Sequence, residues 1–423
     1  MVTDSGKPAL DMQYSKIETA ITPGTATPLA ILGGTPAFKE KLHVGRPNIG
    51  DRARLSQRID EILDCRWLTN NGPYVQEFEK RIAEMIGVKH CIAMCNATVA
   101  LELAIRALDL SGEVILPSFT FVATAHALQW QQITPVFCDI DPSTYNINPR
   151  EIEHLITPRT SGILAVHLWG RPCPIAELQA IADRHRLSLL FDAAHAFGCR
   201  YGGRMLGGFG NAEILSFHAT KFINSGEGGA VVTNDDELAA KIRLMRNFGF
   251  SDYDTVTHIG INGKMTELSA AVGLTNLESI ADFTNTNRAN FEHYRIHLAG
   301  LTGIDLITYD ERENPNYQYV VCRINSTKAG LSRDQFADLL HAENILARRY
   351  FYPGVHRMEP YRSLYPHARF LLPNTEAVAK QVLVLPTGTS VTADDIETIC
   401  RIIRYAVENC DRVAGVLKAT QRK

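Results

Sequence analysis

Residues 216–235 read SFHATKFINSGEGGAVVTND. The apolar run AEIL (212–215) leads into this stretch, and the β-branched run AVVT (230–233) is its way out. Both have the length and composition of strands buried on two faces. Between them stands a single lysine, Lys221, followed by Gly226, Gly228 and Gly229. A lysine in a cleft between apolar strands loses solvation, which lowers its pKa and frees a neutral amine for Schiff-base chemistry. A solvated surface lysine is the alternative. The small residues around it and its place after a strand argue for the first reading.

Short apolar runs of the same kind recur upstream: EVILP (113–117), PVFCDI (135–140), GILAVHL (162–168) and LSLLFD (187–192). They alternate with helical patterns such as TAHALQW (124–130), PREIEHLI (149–156) and IAELQAIADRH (175–185). DELAAKIRLMRNF (236–248) and KMTELSAAVGLTNLESI (264–280) follow. Buried strands separated by crossover helices predict an α/β unit with a mostly parallel sheet covered on both sides. RLSQRIDEIL (54–63), VQEFEKRIAEMIG (75–87) and TVALELAIRAL (98–108) have helical periodicity before it.

From about residue 290 the rhythm changes. NYQYVVCRI (316–324) reads as a strand, Ser332 and Gln335 have capping-box spacing, and Thr392 precedes a long amphipathic run. The expected organisation is an arm over 1–45, a large unit over 46–288 and a smaller α+β unit over 289–423.

The 423 residues carry 43 Lys and Arg against 46 Asp and Glu, a net charge of -3. No basic excess points to nucleic acid or an anionic membrane. No apolar run has spanning length, and the N-terminus lacks a signal pattern, so a cytoplasmic protein is expected. The nine cysteines include no C-x-x-C pair, so buried free thiols are expected rather than a metal site.

Parallel sheets place ligands beyond the carboxyl ends of their strands, where Asp192, Ser216 and Lys221 all fall. Asp192, closing LSLLFD, is costly to bury without a cationic partner. A protonated pyridine nitrogen is one such partner, and capping of a helix from Ala193 is the other reading. Asn96, Ala97 and Thr98 open an amphipathic helix whose free amides suit a phosphate, or form a simple cap. Phe119 and Phe121 follow a strand and offer an aromatic plate or core packing. Lysine, aspartate, phosphate cradle and aromatic plate together describe a pyridoxal phosphate site.

Nine ordered segments carry a family resemblance: WLTNNGPYVQEFE, NATVALELA, PSFTFVATAHA, FCDIDPSTYNI, VHLWGRPC, FDAAHAFG, the lysine stretch, INGKMTELSAAVGL and YFYPGVHRMEPY. In these the chain resembles the sugar aminotransferases of the DegT/DnrJ/EryC1/StrS family, over about residues 40–405. Its motifs are most similar to those of members that aminate C4 of a dTDP-4-keto-6-deoxyhexose.

The resemblance implies the fold-type-I, aspartate aminotransferase-like fold of pyridoxal phosphate enzymes and a role for each matching position. Lys221 would carry the cofactor and then move the substrate proton, and Asp192 would pair with the pyridine nitrogen. His195, where many relatives have glutamine, would lie by the cofactor's phenolic oxygen. Ser216 would bind the phosphate with the backbone of Ala97 and Thr98, and Phe121 would stack on the ring. Asn262 would reach the phosphate of a neighbouring subunit, which implies a homodimer with shared active sites.

Thr69, Asn70, Asn71, Tyr352 and His356 resemble segments lining a sugar-nucleotide cleft. Lys264 and Arg348 would meet the diphosphate or the carboxylates of L-glutamate, the implied amino donor, although surface roles fit both equally. Some relatives carry histidine at the lysine position and dehydrate sugars, so Lys221 argues for transamination.

A 3-keto sugar nucleotide or a keto-cyclitol remains an alternative acceptor. A nicotinamide oxidoreductase would need G-x-G-x-x-G after its first strand, which GEGG does not supply. A non-catalytic cofactor-binding regulator would have no need of the lysine.

Overall fold

A computed structural model describes residues 29–420. Seven strands form the central sheet: β1 (His90–Met94), β2 (Glu113–Pro117), β3 (Thr134–Cys138), β4 (Thr160–Val166), β5 (Ser188–Asp192), β6 (Ala212–Ser216) and β7 (Gly229–Thr233). Their order is β1-β7-β6-β5-β4-β2-β3. β6, β5, β4, β2 and β3 are mutually parallel, and β7 runs antiparallel to both β6 and β1. β7 therefore starts at the edge where the parallel strands end, and Gly228 and Gly229 arrive beside Ser216.

Alternate residues of each strand serve opposite cores. Ile163, Ala165, Leu189 and Phe191 face a layer holding α2 (Pro73–Ile86), α5 (Ile175–His185) and α7 (Glu267–Glu278). Leu164, Leu190, Ile214 and Val231 face α3 (Ala97–Ala107), α4 (Val122–Gln129) and α6 (Asp236–Met245). This two-sided burial is why the strands read as continuous apolar runs. β1 is the strand the apolar-run pattern passes over. It is an edge strand whose sequence, HCIAM, begins with a half-buried histidine.

α1 (Arg52–Cys65) packs on α7. α8 (Ile280–Leu298) spans the expected division at 288: Phe283 lies in the first core, while Phe291, Tyr294 and Leu298 enter the core of the smaller unit. That unit is an antiparallel sheet of β8 (Ile304–Leu306), β9 (Val320–Ile324) and β10 (Val382–Leu385), with α9 (Arg333–Ala342) and α10 (Ala393–Glu408). Ser332 opens α9 with the expected capping box, and Thr392 caps α10 in a box with Asp395.

The described part of the N-terminal arm is tied to the smaller unit. The amides of Ala30 and Ala37 donate to the Glu343 carboxylate, and Leu42–His43 pairs with Ile345–Leu346. The remainder of the arm lies outside the described residues.

Candidate active site

A cavity of about 730 Å³ opens over the carboxyl edge of the sheet. Ala97, Thr98, Phe121, Asp192, His195, Ser216, Lys221 and Arg348, all expected site residues, lie on its wall. Topology brings them together: Asp192 ends β5, Ser216 ends β6, Ala97 and Thr98 open α3 after β1, and Phe121 follows β2. Lys221 sits in the connection between β6 and β7.

Burial strips water from the Lys221 ammonium and pulls its pKa down to about 8, against the opposing pull of Asp192. Burial likewise raises Asp192, while an N–H from Ala194 (3.1 Å) and the Thr124 hydroxyl (3.0 Å) hold its oxygens from the other direction. Thr124 is itself fully buried and shares a hydrogen bond with Thr120 at 3.0 Å. A desolvated carboxylate fixed by two donors is short of a cation, which a pyridinium nitrogen provides.

The Asn96 side chain caps α3 by accepting from Val99 (2.9 Å), leaving the first-turn amides of Ala97 and Thr98 without intrahelical acceptors. Gly229 passes so close that a Cβ there would lie 2.4 Å from the Ala97 nitrogen. Helix start, Ser216 hydroxyl and glycine approach together form an anion cradle.

His195 is buried, with its ring parallel to Phe351 (5.6 Å between centroids, 5°) and against Tyr319 (4.7 Å). Burial, then Lys221, keeps its imidazole neutral by lowering its pKa. Its Nδ1 accepts the Trp169 backbone N–H at 3.3 Å, so the ring proton sits on Nε2. Phe121 is 55% exposed, an available plate over the cavity, whereas Phe119 is core, packed edge-on to Trp169. These residues fit pyridoxal phosphate: cation partner, anion cradle, amine and aromatic face all border one space.

The other expected residues lie elsewhere in the chain. Asn70 and Asn71 adopt left-handed backbone conformations before α2, and Arg246 donates to Asn71 Oδ1 at 3.3 Å. Asn262 is exposed and bridges Asn247. Lys264 donates to Asn247 Oδ1 (2.8 Å), over the Phe248 ring. Thr69 is half-buried in the same region.

Tyr352 and His356 are not on the cavity wall of this chain. The Arg333 and Arg349 guanidiniums both approach the Tyr352 ring, at 4.7 and 5.1 Å from its centroid. His356 is 2% exposed, its ring nitrogens engaged by Ser118 (2.6 Å) and Glu376 (2.9 Å). From the same segment Tyr350 and Phe351 line the cavity instead. Residues 43–47, Gln318 and Tyr319 also line it. No local motif marks them, because they come from the arm and from the smaller unit.

The chain matches the model of the DegT/DnrJ/EryC1/StrS aminotransferase family over residues 50–404. It belongs to this family. It is a pyridoxal phosphate-dependent sugar nucleotide aminotransferase of fold type I.

The chain is 48% identical to the solved structure of DesI with its TDP-sugar product, covering 93% of this chain and 99% of that one at a TM-score of 0.88. It is 39% identical to the dTDP-4-amino-4,6-dideoxy-D-glucose transaminase of Escherichia coli, over 85% of this chain and 97% of the relative. It is 31% identical to DesV of S. venezuelae, solved in complex with a ketimine intermediate, covering 86% and 99% at a TM-score of 0.79.

Proposed function

We propose that this aminotransferase moves the amino group of L-glutamate to C4 of dTDP-4-keto-6-deoxyglucose, releasing 2-oxoglutarate and a dTDP-4-amino-4,6-dideoxyhexose. The observation that carries the chemistry is the desolvated Lys221 beside the doubly held Asp192 in one cavity. The choice of sugar rests on likeness to DesI and to the E. coli transaminase.

Bound pyridoxal phosphate supplies the electron sink and carries nitrogen between the two half-reactions. Asp192 would hold the ring nitrogen protonated, and the Nε2–H of His195 would donate to the phenolic oxygen. Ser216, Ala97 and Thr98 would hold the phosphate, and Phe121 would cover the ring. Lys221, whose desolvated amine gives up its proton near pH 8 rather than 10.5, would take the proton from the substrate carbon and return it during transfer.

Exposed side chains around the remaining expected residues support a homodimer with shared sites. Trp67, Leu68, Phe248, Phe250, Tyr253 and Ile259 are all at least 39% exposed, an apolar excess on the side carrying Asn71, Asn262 and Lys264. The Glu267 amide donates to Leu68 O (3.0 Å), and the Phe248 amide to Ile261 O (3.1 Å), which joins these segments. In the dimer, Asn262 and Lys264 would serve the partner's cavity.

The test is product analysis. Enzyme, L-glutamate and dTDP-4-keto-6-deoxyglucose should give a nucleotide sugar with nitrogen on C4 by NMR. Nitrogen at C3, or an unchanged ketone, would refute the assignment.

A further inference from the structure

The chain around Lys221 forms neither helix nor strand from residue 217 to residue 228. Its buried carbonyls lack a regular ladder: the Phe217 carbonyl is met inside the loop by the Ser225 amide (2.8 Å), and others take partners from outside. Three alternate carbonyls, those of Phe222 and Asn224 buried and that of Thr220 exposed, meet carboxamide side chains from three separate segments. Gln318 Nε2 donates to Thr220 O (3.1 Å), Asn48 Nδ2 to Phe222 O (3.1 Å) and Asn276 Nδ2 to Asn224 O (2.8 Å). The donors come from the strand entry of the smaller unit, the segment just after the N-terminal arm, and α7.

The Asn48 and Asn276 segments are cross-linked to each other and to the loop. Asn224 Nδ2 donates back to Asn48 O (2.8 Å), and the Gly50 amide donates to Asn276 Oδ1 (2.8 Å). Thr389 of the smaller unit gives Asn48 Oδ1 both its amide (3.1 Å) and its hydroxyl (3.0 Å). Asn48, Asn224 and Asn276 are each 5% exposed or less. Gly45, at φ 75°, lies against Thr220, where an added Cβ would sit 3.0 Å from the threonine Cβ.

We propose that Asn48 and Asn276 are positioning residues for the reaction: with Gln318 they clasp the backbone on both sides of Lys221 and set where its amine meets the cofactor. This rests on Lys221 being the cofactor lysine. Amide side chains suit the task because each carbonyl needs a donor. Aspartate would set oxygen against oxygen at about the same distance, and alanine would leave a buried carbonyl unpaired. Through Thr389 and Gln318 the smaller unit shares in the alignment.

The experiment measures how fast the cofactor-free full chain captures pyridoxal phosphate. The lysine amine condenses with the aldehyde, water leaves, and the visible band of the lysine-linked cofactor grows. This needs neither amino donor nor sugar. Asn48→Ala and Asn276→Ala should each slow capture about tenfold or more at pH 8, since small misplacements of a reacting group cost one to two orders of magnitude.

Asn146→Ala is the control, because Asn146 is also buried and donates to the Arg171 and Pro172 carbonyls (3.3 and 3.0 Å), outside this loop. It should lower the melting temperature and leave the capture rate within about twofold. Capture by both clasp variants within about twofold of the parent would overturn the proposal. Should Asn48→Ala not fold, Thr389→Val removes only the hydroxyl donor. A slowing of about threefold is then expected, and an unchanged rate would overturn the proposal. A Lys221→Ala chain that still develops the band would show the lysine assignment wrong, and the clasp proposal with it.

Discussion

The amine of Lys221 becomes reactive where it loses its proton, and the surrounding walls bring that point down to about 8. Capture of the cofactor by the free enzyme should rise with pH through a midpoint near 8, because the neutral amine is the nucleophile and its fraction grows as pH increases. A midpoint near the ordinary 10.5 would show a solvated lysine. Thr124 makes a second prediction at this scale. Thr124→Val keeps the shape but removes one of two donors to Asp192. The buried carboxylate becomes still harder to ionise, and kcat should fall about tenfold, roughly 1.4 kcal/mol. A kcat unchanged in steady-state assays would remove Thr124 from the account. Asp192 stood out in the sequence because a charge closing an apolar strand is conspicuous, and Lys221 because it stands alone among small residues between two apolar runs. Thr124 was not, since a threonine inside an apolar helix looks like packing until its hydroxyl is seen to point at a carboxylate.

Elements hold these residues through contacts that sequence spacing hides. Glu267, at the start of α7, is fully buried and accepts the amides of Tyr74 (2.7 Å) and Val75 (3.3 Å) at the start of α2. Its carboxylate completes the N-terminus of a helix whose Tyr74 lies 193 residues away in the chain, on the favourable side of that helix's dipole. Gly72 permits the approach, for a Cβ there would meet the carboxylate carbon at 2.7 Å. Glu267→Ala should cost about 2 kcal/mol in denaturant unfolding by orphaning those amides. A loss below about 0.5 kcal/mol would mean water replaces the carboxylate without penalty. The strands of the large unit were legible because burial on both faces writes itself as unbroken apolar runs. The edge strand β1 was not, because its apolar run, CIAM, is short and sits between two helical patterns. His356 resembled a cleft residue in sequence, yet its ring bridges Ser118 and Glu376 at the joint between the units. A motif match conveys which segment matters and leaves open which side chain in it faces the cavity.

At the scale of the whole molecule, the cavity has contributions from the arm, the sheet edge and the smaller unit, and the proposed dimer adds a fourth source. Mixed dimers test this. Lys221→Ala and Asn262→Ala chains should each be impaired alone, and co-expression should restore about a quarter of parental activity, because half of randomly paired dimers hold one intact site. No restoration in mixed dimers confirmed by mass spectrometry would mean each chain serves itself. Assembly is the part least visible in sequence. The segments 67–71 and 248–264 show exposed apolar and polar side chains together, the mixture that the proposed interface would cover.

The most direct measurement follows the visible band of the lysine-linked cofactor in the purified enzyme, first with excess L-glutamate and then, glutamate removed, with dTDP-4-keto-6-deoxyglucose. The account predicts that the band fades with glutamate and returns with the sugar. A band that fades but does not return would contradict the proposed acceptor. A band that never fades would contradict transamination from glutamate itself.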